Sequence, residues 1–183
     1  SYVCECRQGY TRNGVVCADI DECSLSIDNC HQNSSCTNID GGFLCSCDPG
    51  YSWNLTACEK IFLRLQGPLS ANGTGRVEIF FGGQWGTVCY YSWDINDARV
   101  ACRQLGYKYV ARALYSTNAP PSFGRMWLNN INCIGNEQNL TSCSYDGWGN
   151  HDCAHYQTAG VECSVTDVDE CSRGLHNCGR SSQ

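Results

Sequence analysis

Four oxygen-bearing side chains stand out first: Asp19, Asp21 and Glu22 lie just before Cys23, and Asn38 lies just after Cys36. Carboxylates, amides and backbone carbonyls on a turning chain make the shell of about six or more oxygens that calcium requires. A strand carrying two of the acids and a hairpin carrying Asn38 would supply it once disulfides bring them together. A short acidic run is otherwise a solvated linker. The distal Asn inside an ordered cysteine frame is what favours calcium. A second grouping, His151-Asp152-Cys153-Ala154-His155, superficially suits a metal or a hydrolase. No G-x-S-x-G elbow, H-E-x-x-H helix or glycine-rich phosphate loop accompanies it, so no catalysis is expected from these residues.

Composition says what must position such groups. The chain has 17 cysteines in 183 residues, the density of a disulfide scaffold. Disulfides persist outside the reducing cytosol, so the expected location is extracellular, either secreted or in the ectodomain of a membrane protein. A zinc-rich intracellular protein fits poorly, because paired C-x-x-C knuckles are missing and the four His do not stand at ligand spacing. Four N-x-S/T sequons, at Asn33, Asn54, Asn72 and Asn139, suit a glycosylated surface.

The net charge of −6 is uneven. Residues 61–164 set Arg64, Arg76, Arg99, Arg103, Lys108, Arg112 and Arg125 against Glu78, Asp94, Asp97, Glu137, Asp146, Asp152 and Glu162. Seven against seven is neutral, so the acidic excess lies in the cysteine-dense flanks. Neither part has the strongly basic face that nucleic acid would need. The sequence contains no signal peptide, membrane-spanning run or lipidation motif, and no membrane contact is expected within these residues. Cysteine patterns are cut at both ends, so a longer parent protein is expected.

Residues 19–60 hold six cysteines, at 23, 30, 36, 45, 47 and 58. So short a segment cannot build a sufficient core, and bridges must hold it. Six cysteines allow fifteen pairings, and spacing alone does not choose. The middle of the chain is sparser in cysteine and richer in Trp, Tyr and Gly. Gly75–Phe81 reads as a strand, Gly82-Gly83 as a turn and Gln84–Cys89 as a second strand. Asp94 or Asn96 then caps a helix through Leu105, with Ala98, Ala101, Cys102 and Leu105 on one face and Gly106 ending it.

The order C-x6-C-x5-C-x8-C-x-C-x10-C, with Gly50-Tyr51 after the fifth cysteine, resembles an epidermal-growth-factor-like (EGF) domain. The resemblance implies Cys23–Cys36, Cys30–Cys45 and Cys47–Cys58. With Asp19, Glu22 and Asn38 it is similar to the calcium-binding kind. That implies side-chain oxygens from those three residues and carbonyls from Ile20, Ile39 and Gly42. Asn38 also matches the family's β-hydroxylation pattern, and Ser35 an O-fucosylation pattern. Residues 1–18 resemble the end of a preceding EGF domain, implying Cys6–Cys17. Residues 165–183 resemble the start of another, with Asp167 and Glu170 as half a calcium motif. Cys4, Cys171 and Cys178 then lack partners within the chain. Only Ala18 separates Cys17 from Asp19, so calcium is expected to stiffen that junction, with Tyr10 packing on the Gly41-Gly42 hairpin.

Residues 61–164 resemble a scavenger receptor cysteine-rich (SRCR) domain. The motifs are Gly75-Arg76-Val77-Glu78, Trp85-Gly86-Thr87-Val88-Cys89, Trp93 to Gly106, Trp127-Leu128 and Ala159-Gly160-Val161-Glu162-Cys163. Six cysteines, with Tyr107 where eight-cysteine members carry another, resemble the group A kind. The resemblance implies Cys89–Cys153, Cys102–Cys163 and Cys133–Cys143, and one helix cradled by a curved antiparallel sheet. The expected fold class is therefore disulfide-rich and multidomain, with small β EGF modules and an α+β SRCR domain.

In some members of that family a cation sits between an Asp pair after the first cysteine and a later Glu. Here those places hold Tyr90 and Tyr91, a further acidic place is Asn129, and only Glu137 remains, so no SRCR-type cation is expected. Family members bind microbial or host polyanions, lipoproteins or proteins. Tyr90, Tyr91, Arg99, Arg103, Lys108, Arg112 and Arg125 are the candidate ligand surface, or else dispersed surface groups. The leading expectation is a non-enzymatic recognition module on calcium-stiffened EGF spacers, such as a scavenger or innate-immune receptor ectodomain. Alternatives are a structural adhesion or matrix protein, and the non-catalytic arm of a secreted mosaic enzyme.

Overall fold

A computed structural model describes residues 5–54, 56–115 and 118–166. The chain divides into two compact units, Ser1–Lys60 and Ile61–Gln183. In the first, β1 (Tyr10–Asn13) and β2 (Val16–Asp19) form a hairpin around Gly14-Val15. Gly14 takes φ 65°, which a two-residue turn demands. Asp21 then caps a single helical turn, α1 (Glu22–Leu25), accepting the Ser24 N–H at 2.9 Å. The expected two-acid strand is thus divided. Asp19 ends β2, while Glu22 opens α1, because the Asp21 cap stops the extended backbone.

Hairpin β3 (Ser34–Ile39) and β4 (Gly42–Cys47) turns at Asp40-Gly41, and the short pair β5 (Tyr51–Trp53) and β6 (Cys58–Lys60) follows. Disulfides join Cys6–Cys17, Cys23–Cys36, Cys30–Cys45 and Cys47–Cys58. Among the described residues of this unit only Glu22 and Cys58 are buried. Cross-links therefore replace a hydrophobic core as the source of stability.

The described residues of the second unit form a six-stranded sheet with a helix against it. Its elements are β7 (Phe62–Gln66), β8 (Thr74–Phe81), β9 (Gln84–Val88), α2 (Ile95–Gln104), β10 (Tyr109–Tyr115), β11 (Arg125–Leu128) and β12 (Ala159–Ser164). Strand β8 organises the sheet. One edge pairs with β7, while the other meets β12 at its start and β9 at its end. Strand β10 extends the sheet beyond β12. Strand β11 runs parallel to β9, so the sheet is mixed where a wholly antiparallel one was expected. The long connection through α2 and β10 reverses the chain twice and permits that pairing.

Alternation along β8 turns Val77, Ile79 and Phe81 to the core, where they share one buried cluster with Ala98, Ala101 and Cys102 of α2. Helix α2 starts with a full capping box: Asp94 accepts the Asn96 and Asp97 N–H groups, and Asp97 accepts the Asp94 N–H. Gly106, at φ 88°, follows its last turn. Cys102–Cys163 joins α2 to β12, Cys89–Cys153 ties the loop before β12 to the end of β9, and Cys133–Cys143 closes the loop after β11.

Candidate calcium site and ligand surface

Strand β2 delivers Asp19 directly to the β3–β4 hairpin. Its Oδ1 accepts the Gly41 N–H at 2.6 Å and its Oδ2 accepts Asn38 Nδ2 at 2.7 Å. The Cys23–Cys36 bridge ties α1 to the strand that carries Asn38. Glu22 is only 9% exposed, yet its Oε2 has no hydrogen-bond partner, and neither has the buried Asn38 Oδ1. Two desolvated acceptors without a donor are costly unless something positive reaches them. Both are hard oxygens, the donor type calcium prefers, so the residues present fit that ion. Ile39 and Gly42 face each other across the hairpin turn. The Ile20 carbonyl accepts the Glu22 N–H at 3.1 Å. Asp167 and Glu170 lie outside the described residues, as do Cys4, Cys171 and Cys178.

The junction before this site is close. Ile20 donates its N–H to the Gly9 carbonyl at 2.9 Å. A Cβ on Gly9 would strike the Gly41 carbonyl, and one on Gly41 would stand 3.2 Å from the Tyr10 ring. A hydrogen bond to Asp40, then slight desolvation and the charges of Asp40 and Asp19, raise the Tyr10 hydroxyl pKa.

In the second unit, Tyr90 and Tyr91 are half-buried. Their rings meet edge-on at 5.2 Å, and Gln157 Nε2 donates to the Tyr91 hydroxyl at 2.9 Å. Asn129 and Asn130 both donate to Asp146 Oδ2, at 3.2 and 2.7 Å. The Glu137 carboxylate accepts the Ile134 and Gly135 N–H groups, each at 2.8 Å. Desolvation would raise its pKa, but those bonds and the N–H groups of Glu137 and Asn136 outweigh it and lower the value.

The candidate cations are engaged separately. Arg99 donates to Asn96 Oδ1 at 2.7 Å, while Arg103 reaches the Gly135 carbonyl at 2.9 Å and that of Glu137. Arg112 pairs with Glu162 at 2.6 Å. Arg125 stands over the Trp127 ring at 4.7 Å and Lys108 over that of Tyr109 at 5.1 Å. Arg103 thus serves the 133–143 loop, whereas Arg99, Lys108, Arg112 and Arg125 are exposed.

His151, Asp152 and His155 are also exposed, and the Cys153 sulfur is committed to Cys89. Two groups of potential metal ligands converge among the described residues: Asp28 with Cys30 and Cys36, and Glu137 with Cys133 and Cys143. All four cysteines are bridged, so neither group offers a thiolate. Asn33 and Asn72 are exposed, whereas Asn54 and Asn139 are half-buried. The Asn54 Oδ1 accepts Thr56 Oγ1 at 3.0 Å.

Local pattern alone missed two acids. Glu78, 6% exposed, lies between Arg64 at 2.7 Å and Arg76 at 2.6 Å. The i, i+2 spacing of Arg76 and Glu78 on one strand face was the available signal. Asp97, fully buried, accepts the Cys133 N–H at 2.8 Å besides closing the capping box. Burial pushes its pKa up to about 6 despite bonds from Asp94 and Cys133, with the Asp94 charge adding to burial.

Comparison with known proteins gives these features a family. Residues 69–164 match the scavenger receptor cysteine-rich domain, residues 19–60 the calcium-binding EGF domain and residues 1–22 the complement Clr-like EGF-like domain. Macrophage receptor MARCO of Mus musculus is 47% identical over 52% of this chain and 18% of its own length. Lysyl oxidase homolog 2 of Mus musculus is 46% identical over 57% of this chain and 14% of its own. The chain therefore spans a small part of these relatives. The third SRCR domain of murine neurotrypsin shares the fold at a TM-score of 0.52 with 40% identity, covering 58% of this chain and 99% of that one. No helix among the described residues is long and apolar enough to cross a membrane. The domain types place these residues outside the cell, and with just over half its length matched, the chain belongs to the scavenger receptor cysteine-rich family, with one calcium-binding EGF match and one EGF-like match earlier in the sequence.

Proposed function

We propose that this chain is a non-enzymatic recognition segment: an SRCR unit that binds ligand, carried on an EGF unit stiffened by calcium. The pair of orphaned buried oxygens, Glu22 Oε2 and Asn38 Oδ1, carries the calcium half of this reading. Asp19, Glu22 and Asn38 would give side-chain oxygens to the ion, and Ile20, Ile39 and Gly42 carbonyls. Calcium supplies a positive charge that draws these oxygens together. The chain's own contribution is to hold Asp19 against the hairpin and Tyr10 on Gly41.

Recognition belongs to the SRCR unit and needs no cation there. Glu137 is occupied by backbone N–H groups, and Tyr90-Tyr91 offers phenols where some members of the family carry acids. The ligand class is a protein or an anionic microbial surface, met by the exposed Arg99, Lys108 and Arg125. Capture of bacteria and of heparin-coated beads by the whole chain, with and without EDTA, tests this. Binding that persists in EDTA is expected, and failure to capture any polyanion removes the scavenger reading. The similarity to lysyl oxidase homolog 2 favours a second reading, the non-catalytic arm of a secreted mosaic enzyme. Its test is whether a catalytic domain is encoded in one transcript with residues 1–183.

A further inference from the structure

A cleft of about 410 Å³ opens between the start of α2 and strand β10, lined by Trp93, Asp94 and Ile95 on one side and Arg112, Ala113 and Tyr115 on the other. We propose that this cleft binds a neutral hexopyranose, such as the terminal sugar of a glycan; the proposal rests on the SRCR unit being the recognition module. The volume falls in the range of small-ligand sites, which combine apolar walls with a few fixed polar groups. Tyr115 and Ile95 are 49% and 40% exposed, so an aromatic ring and an aliphatic side chain are open to a visitor. Behind them Trp93 is held in place, its Nε1 donating to the Gly160 carbonyl at 3.0 Å. The apolar C–H face of a pyranose matches such a wall, as aromatic rings present large, rigid contact area with a polar tip.

Charge selects neutrality. Arg112 directs both Nε, at 2.8 Å, and Nη2, at 2.6 Å, to one oxygen of Glu162. That uses one edge of the guanidinium fork and leaves Nη1 to be matched. Asp94 places a carboxylate on the facing wall, fixed by the Asn96 and Asp97 N–H groups on its Oδ1. Because Glu162, outside the lining, already meets the Arg112 charge, the Asp94 carboxylate is left to set the field of the cleft, which disfavours a sulfate or phosphate group. A bare cation would meet Arg112. Sugar hydroxyls donate to Asp94 and accept from Arg112 together, and carry no charge to desolvate. The Tyr115 ring also lies 6.3 Å from Tyr90, and Tyr90 lies 5.2 Å from Tyr91. That aromatic ledge leads out of the cleft and would support a second sugar unit.

The test is an NMR titration of the isotope-labelled whole chain with methyl α-D-mannopyranoside and methyl β-D-glucopyranoside, following signals of Tyr115 and Ile95. Saturable shifts are expected with at least one glycoside, unchanged between low and high salt because no ion pair forms. Tyr115→Ala should weaken binding about tenfold or more, equivalent to about 1.4 kcal/mol. Tyr115→Phe, which keeps the ring, should bind within about twofold of the parent. Absence of shifts at these residues with either glycoside overturns the proposal. So does preferential, salt-sensitive occupation of the cleft by a heparin-derived disaccharide. Bead capture of polyanions by the same preparation is scored apart. Sugar binding without capture removes the scavenger reading and keeps the cleft; capture without sugar shifts does the reverse.

Discussion

Asp97 is the residue whose chemistry is most out of balance with its surroundings. Its pKa rises from 3.8 to about 6 because burial penalises the charge more than the Asp94 and Cys133 N–H groups favour it. A carboxyl with a raised native pKa binds more protons folded than unfolded between those two values. Its contribution to stability therefore grows as pH falls through 6 and is complete below 3.8, the reverse of an ordinary salt-bridged acid. Denaturant unfolding of the parent and of Asp97→Asn should separate this contribution. The difference between them is expected to change by about 1–3 kcal/mol from pH 7 to pH 4. The variant should also be weaker overall by about 1–3 kcal/mol, since an amide leaves one of the two N–H groups unmatched. Arg76 poses the complementary case. It meets Glu78 at 2.6 Å and donates to the Pro120 carbonyl at 2.9 Å and to that of Pro121. Arg76→Ala leaves a largely buried Glu78 with Arg64 alone and frees the 118–122 segment. A loss of about 3 kcal/mol is expected, with new proteolytic cleavage near Phe123, which is 91% exposed.

At the scale of elements, close approach decides more than propensity does. Gly86 in β9 lies under Trp127. A Cβ there would strike the ring and come within 2.8 Å of the Arg125 carbonyl. Gly86→Ala should separate β9 from β11, cost about 3 kcal/mol or more and perturb tryptophan fluorescence, whereas Gly82→Ala, with nothing within 4 Å, should keep the β9–β11 contact and cost only the backbone strain of its φ of 56°. This contrast marks where sequence reading runs out. The β8–β9 hairpin and the α2 cap were legible because a Gly-Gly turn and an Asp before a helical apolar stripe are local signals. The parallel β9–β11 pair was not, since nothing in Arg125–Leu128 names a partner forty residues away. The candidate surface divides the same way. Exposed Arg99, Lys108, Arg112 and Arg125 could be chosen by charge. The commitment of Arg103 to the loop carbonyls and of Arg112 to Glu162 follows only from long-range packing. For the calcium site, Asp19, Glu22 and Asn38 were singled out by type and order. That Glu22 belongs to a helical turn, with its oxygen left unmatched, was set by the Asp21 cap.

For the whole molecule, the two units should answer to different conditions because they are stabilised differently. Among the described residues the first buries almost no hydrophobic side chain and depends on four bridges and the Asp19 cluster, whereas the second has an extended apolar core from Val77 to Val161. A ligand that binds only the native state adds RT ln(1 + [L]/Kd), about 2.7 kcal/mol at a hundredfold excess over Kd. Calcium should therefore protect amide hydrogens of Gly41 and Ile20 strongly and those of β8 and β12 little. EDTA should expose residues 18–42 to proteolysis while residues 61–164 remain resistant. Asn38→Ala removes one orphaned oxygen together with the Nδ2 bond to Asp19, and should abolish the calcium-dependent protection. Hydrogen exchange with and without calcium checks both halves at once. Equal protection of Gly41 in calcium and in EDTA would show that the Asp19 hairpin is stiff on its own account and that no ion braces the EGF unit.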